Sequence, residues 1–364
     1  MSARGQAAYW LFALAVLVAL VWLLSSMLLP FVAGIAVAYF LDPPTDKLED
    51  RGLSRGLSTS IVVVCFFILM VLAGLLLAPV LHAQFSGFAD RLPGYLTSLR
   101  ESALPFVIDL GAKLGIDIGA SAGDAMKEIA ADAVGFGFRL LRQAWSGGLA
   151  LFNILSLLII TPVVAFYLLR DFDHLVAALD AWLPRQYAAT VRGLLADIDD
   201  VMAGFIRGQG TVCLILASFY AVSLTLAGLE FGLIIGLFSG LVSFVPFVGA
   251  LLGLVLSMLT ALTQFLPDGD YGHIAIVAGV FVVGQVMEGY VLTPRLLGDR
   301  IGLHPVWVMF ALLAGGALFG FVGILIAVPA AAAIGVMVRF ALGRYLGSPL
   351  YLGRGPPPGD GDQT

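Results

Sequence analysis

Gln285, Glu288 and Arg295 are the residues whose types and spacing could do chemistry. All three belong to one stretch that closes an apolar run beginning near Ile274. On an α-helix, Gln285 shares a side with Glu288, and Arg295 follows seven residues on, two turns and about 10 Å along nearly the same face. A charge inside hydrocarbon is expensive, so such a carboxylate usually faces a protein interior or a watery cavity. There it could bind or relay a proton or a sodium ion. Arg295 would favour its charged form while burial opposes it. The structural alternative is an ion pair, or a helix-end charge reaching back to the interface.

The backbone offers a second chemistry. Pro246, Phe247 and Gly249 interrupt an apolar run over residues 231–265, which is longer than a bilayer requires. A broken helix at membrane depth is tolerated only where protein or a water-filled cavity covers the freed peptide groups. In transporters such breaks often build the solute site. The other reading is a plain hairpin turn or kink, since Gly and Pro are common in membrane helices. Asp299 and His304, just beyond Pro294, are secondary candidates. His304 precedes Pro305, where a turn or capping role competes with titration near neutral pH.

The elements that must position these residues are helices in a bilayer. Of 364 residues, 60% are hydrophobic and 12% charged, against about 25% charged in soluble domains. Several apolar runs exceed the roughly 20 residues that span hydrocarbon as helix. The fold class is therefore all-α, a polytopic helical membrane protein. Cys65 and Cys213 both lie in apolar runs, which argues against a disulfide framework or a metal site. The net charge of −5, with acids and bases interspersed, leaves no nucleic-acid footprint.

In chain order, residues 1–81 supply N-terminal membrane helices. The first apolar run, 9–41, is either a tilted long helix or a hairpin broken at Pro30, and Asp42-Pro43-Pro44 stops it. A span over 58–81 follows. Residues 82–148 form a mixed-charge helical insert outside the membrane. Residues 149–345 hold the membrane core, including amphipathic helices over 170–209 for which Pro184 marks a start. One face of these carries Arg192, Asp197, Asp199 and Asp200, as a solvated surface or a cation site. Spans over 211–228 and 274–293 flank the 231–265 run. A third over-long run, 306–338, contains Gly315, Gly316, Gly320, Gly323 and Pro329. Residues 346–364 form a disordered tail. If the three long runs are hairpins, all the Lys and Arg outside the insert share one side with both termini, which the positive-inside rule makes cytoplasmic.

An ordered set of short motifs carries a family resemblance. It begins with Pro30-Phe31, Ala38-Tyr39 and Leu41-Asp42-Pro43, then Leu168-Leu169-Arg170-Asp171 and Val245-Pro246-Phe247-Val248-Gly249. It continues with Glu288-Gly289, Thr293-Pro294-Arg295, Gly298, Gly302-Leu303-His304-Pro305 and Ala327-Val328-Pro329. From about Pro30 to Phe340 the chain resembles the autoinducer-2 exporter family, or PerM-like permeases. The resemblance implies about eight transmembrane segments, some of them broken or re-entrant, in an inner (plasma) membrane. It implies export of small solutes, for some members a furanone-type signal and for others sodium/proton antiport. It also implies homo-oligomeric assembly. The family pattern marks Glu288, Pro294, Arg295, Gly298, His304 and Pro305.

The chain has no G-x-x-x-x-G-K-[ST] loop, which argues against a nucleotide-driven pump, and no H-E-x-x-H, which argues against a zinc hydrolase. The expectation is a non-enzymatic secondary transporter without a cofactor. Its partners are the lipid bilayer and a small-molecule or ion substrate, and its coupling is to a proton or sodium gradient. A passive channel or permease, and a non-transporting scaffold docking a partner through residues 184–207, are the alternatives.

Overall fold

The computed structural model describes residues 27–98, 148–246, 248–298 and 303–352, together with Phe12 and Val16. Phe247 and Asp299, most of the insert and the end of the tail lie outside the described residues. Those described are mostly helical, joined by short turns and without strands. The order is α1 (Leu29–Glu49), α2 (Arg55–Ser98), α3 (Gly148–Ala181), α4 (Ala188–Leu226), α5 (Gly232–Val242), α6 (Val248–Phe265), α7 (Tyr271–Met287), a π-helix (Glu288–Leu297), α8 (Pro305–Leu346) and α9 (Pro349–Leu352). Five of the helical stretches are long and apolar enough to cross a membrane: Arg55–Phe88, Ala188–Leu226, Val248–Phe265, Tyr271–Leu297 and Pro305–Leu346. Large apolar side chains such as Leu75, Leu76, Val222, Leu226 and Leu313 stay exposed along them, as a lipid-facing surface requires. The chain is a multi-pass helical membrane protein.

Contacts divide it into two discontinuous units, one of residues 1–42, 164–207 and 299–364, the other of residues 43–163 and 208–298. In the first, α8 is two arms. Gly320 leaves helical geometry at φ 60°, ψ −138°, and the arms 305–319 and 321–346 return antiparallel. A Cβ on Gly323 would fall 1.9 Å from the Gly315 carbonyl oxygen, so only hydrogen fits where the arms meet. Towards the open end they diverge around an apolar cavity of about 520 Å³, with Trp307 and Phe310 facing Ala330 and Ile334. The third over-long run is thus a hairpin. Val201 of α4, with Leu194 and Ile198, packs on Ala332 and Val336 of its second arm, which gives the amphipathic face of α4 its partner.

In the second unit, α5 and α6 form another hairpin, and α5 lies against α4 at backbone contact. A Cβ on Gly240 would stand 2.1 Å from Ala217, and one on Gly236 2.3 Å from Ala221. Small residues four apart let membrane helices approach this closely. Asp270 caps α7 by accepting from the His273 backbone N–H at 3.2 Å.

Four sequence expectations are corrected. Asp42-Pro43-Pro44 does not stop α1, which runs on to Glu49. Pro43 has no N–H to give the Tyr39 carbonyl four residues back, and the Arg207 Nε donates to that carbonyl instead, at 2.7 Å. The boundary at residue 82 is not a helix end, since α2 is continuous to Ser98. Pro184 does not open a helix; a turn over 182–187 precedes α4 at Ala188. The amphipathic stretch and the 211–228 span are one helix: Gly208 and Gly210 lie between them but stay helical, so the two apolar faces share an axis. Pro30 sits in the first turn of α1, where a missing N–H costs nothing.

The Arg207 substitution for a peptide donor makes a specific prediction. Arg207→Met should destabilise the protein by about 1–3 kcal/mol, the cost of leaving the Tyr39 carbonyl without its donor. In the Pro43→Ala background, where residue 43 again has an N–H, the same change should cost less. Thermal unfolding of the four proteins in detergent closes this cycle.

Candidate functional site

Glu288 stands where α7 gives way to the π-helix Glu288–Leu297. An i→i+5 ladder is rare and recurs at functional positions. Here it would pair the nitrogen of residue 294 with the Gly289 carbonyl, and Pro294 has no hydrogen to offer. The Glu288 side chain is half-buried and accepts from the Gln285 amide at 3.1 Å. Gln285 itself is exposed.

The wall behind this pair is a packed contact of α7 with α4. Tyr220, fully buried, stacks on Phe281 with ring centroids 4.8 Å apart. Gly284 makes room for it: a Cβ there would fall 2.3 Å from the Tyr220 hydroxyl. That hydroxyl is buried with no hydrogen-bond partner among the described residues. Glu288 lies within electrostatic reach of both Tyr220 and the buried Cys213 thiol. The carboxylate thus has one flank on a protein wall and the other on the open side of α7.

Arg295 is not brought to Glu288. It is exposed, and among the described residues no ion pair joins the two. A π-helix takes more residues per turn than an α-helix, so a spacing of seven no longer makes two whole turns. The shared face expected from α-helical geometry is lost. His304 is the N-cap of α8, its Nδ1 accepting from the Val306 N–H at 3.3 Å.

At the break, Pro246 lies in the turn between α5 and α6, and Gly249 is buried in the first turn of α6. Three carbonyls around the break accept side-chain donors. Gln209 of α4, 5% exposed, donates to the Ser243 carbonyl at 2.6 Å. Ser239 donates to the Gly249 carbonyl at 2.9 Å, and Ser243 to the Ser239 carbonyl at 2.9 Å. A Cβ on Gly249 would strike the Ser243 nitrogen at 2.3 Å. Sequence reasoning missed Gln209, Ser239 and Ser243. A buried amide in a run otherwise rich in small and apolar residues was the available signal. Gln209→Ala should strip a buried carbonyl of its donor and cost about 1–3 kcal/mol, read as a lowered unfolding temperature in detergent. Among the described residues no cluster of His, Cys, Asp and Glu could hold a metal ion.

Comparison with known proteins places this arrangement. Residues 11–343 match the model of the AI-2E family transporter. YrrI of Bacillus subtilis (strain 168), named as a transport protein, is 30% identical over 321 residues, 87% of each chain. PerM of Escherichia coli (strain K12), named as a permease, is 26% identical over 325 residues, 88% of this chain and 89% of PerM. The protein sll0063 of Synechocystis, also named for transport, is 27% identical over 313 residues, 84% of this chain and 75% of its own. These names assign transport by inference and state no solute. The match from residue 11 to 343, carried by a chain of membrane-crossing helices, shows that the protein belongs to the AI-2E family of transporters.

Proposed function

We propose that this transporter is a secondary exporter. It moves a small solute outward across the inner membrane at the expense of a proton or sodium gradient, with Glu288 as the coupling carboxylate. The observation that carries the reading is the position of Glu288: half-buried in a membrane-crossing stretch, at the junction of an α-helix and a π-helix, hydrogen-bonded to one neutral amide. A carboxylate so placed can take up or release a cation without breaking an ion pair. The Pro246–Gly249 turn lies in the same unit. With the Ser239, Ser243 and Gly249 carbonyls taken up by side-chain donors, its part is to hold the hairpin rigid. The distribution of Lys and Arg supports cytoplasmic termini, and the family resemblance supports assembly of identical subunits.

The test is flux from proteoliposomes loaded with a small-metabolite extract, with and without an imposed pH or sodium gradient. Gradient-dependent release of a solute supports export by coupling. Release that only follows the solute's own gradient assigns the protein to passive permeation instead, and no release in either condition favours the scaffold.

A further inference from the structure

A second polar constellation lies in the other unit. Three helices meet around a cavity of about 230 Å³, framed by Ala38, Tyr39 and Asp42 of α1, Leu168 and Phe172 of α3, and Asp199 and Arg207 of α4. Each helix contributes residues from the point where its apolar run meets polar sequence: the run 9–41 ends at Asp42, the run 149–169 ends beside Phe172, and Arg207 precedes the run 211–228. The cavity therefore sits at a membrane–water boundary, with an apolar wall and a charged rim.

The rim carries two carboxylates and one guanidinium. Arg207 is turned onto the protein, its Nε on the Tyr39 carbonyl and its Nη2 on Asp42 at 2.8 Å. The Tyr39 hydroxyl donates to one oxygen of Asp199 at 2.7 Å. The other Asp199 oxygen has no hydrogen-bond donor among the described residues. An anion would meet excess negative charge. A bare metal ion would want a shell of oxygens, which a mainly apolar wall does not supply. A neutral solute would leave the carboxylate uncompensated.

We propose that this cavity binds the ammonium end of a small amphiphilic amine, with the charge on Asp199 and the aliphatic part against Ala38, Leu168 and Phe172. The volume falls below the roughly 300–1,000 Å³ of drug-sized sites, so the bound part is small. The rings of Tyr39 and Phe172 add the attraction of aromatic faces for a cation. The inference stands apart from the coupling role of Glu288, because it is read from binding alone.

The experiment is calorimetric titration of the full chain in phosphatidylcholine nanodiscs at pH 7.5 with n-butylammonium, 1-butanol and butyrate. Butylammonium should bind and the other two should not. Asp199→Asn should weaken binding by about tenfold or more, the usual order for removing one partner of a desolvated charge pair. Ala38→Leu, which fills the cavity without touching a charge, should weaken it too, and Asp200→Asn, next along the chain but outside the cavity, should not. Adding phosphatidylethanolamine distinguishes a soluble amine from a lipid ammonium: suppression of butylammonium binding by that lipid supports the same chemistry with a lipid as its source. Equal binding of butanol or butyrate, no binding of butylammonium, or parental affinity in both Asp199→Asn and Ala38→Leu overturns the proposal.

Discussion

Glu288→Gln is expected to reach the membrane in parental amounts and to lose the gradient dependence of solute flux by about tenfold or more, as removal of an essential intramembrane ionisable group should. Glutamine keeps the length and shape of the side chain, and its carbonyl can accept from the Gln285 amide as the carboxylate does at 3.1 Å. The wall of Tyr220, Phe281 and Gly284 is untouched, so the packing of α4 on α7 should survive. What disappears is the capacity to exchange a cation. Initial rates from proteoliposomes at matched protein, with and without a pH or sodium gradient, measure this directly. A variant that carries solute and protons as the parent does would remove Glu288 from the mechanism. Arg295→Gln is the informative comparison. Because the π-helix turns Arg295 away from the carboxylate, its loss should leave gradient dependence close to parental.

Gly240→Leu should have the largest effect on folding. Its Cβ would lie 2.1 Å from both the Ala217 nitrogen and Cα, atoms of a helix backbone that cannot swing aside as a side-chain tip can. Overpacking commonly costs about 1–3 kcal/mol, and a backbone collision belongs at or beyond the top of that range. Against a total stability of about 5–15 kcal/mol, the variant should show a sharply reduced yield of monodisperse protein and a lower unfolding temperature. Gly279→Leu is the control, since a Cβ there meets nothing within 4 Å. It should match the parent. Parental stability in Gly240→Leu would mean that α4 and α5 do not pack as described.

Apolar run length made the helices and the membrane legible, because the cost of exposing peptide groups to hydrocarbon acts on every residue of a run. The hairpin over 306–338 was legible only as one of two readings, since a run too long for one crossing, with Gly320 near its middle, fits either a hairpin or a pair of deep crossings. Pro43 and Pro44 were misleading because the donor that rescues the helix is Arg207, on α4, and no local pattern reports a partner so distant in sequence. The pairing of Glu288 with Arg295 failed for a subtler reason. Seven-residue spacing means a shared face only if the ladder is α-helical, and the π geometry around Pro294 changes the count. The Gln209–Ser243 bond stayed invisible because Gln and Ser in an apolar run fit an interhelical contact, a water site or a turn equally well.

The guanidinium that stands in for a peptide hydrogen at Tyr39 ties two codons together. A descendant that trades Pro43 for a residue with an amide proton releases Arg207 from half its work, and one that loses Arg207 first is handicapped until Pro43 changes. Mutational histories of this fold should therefore pass through the proline before the arginine, and positions 43 and 207 should drift as a couple rather than singly.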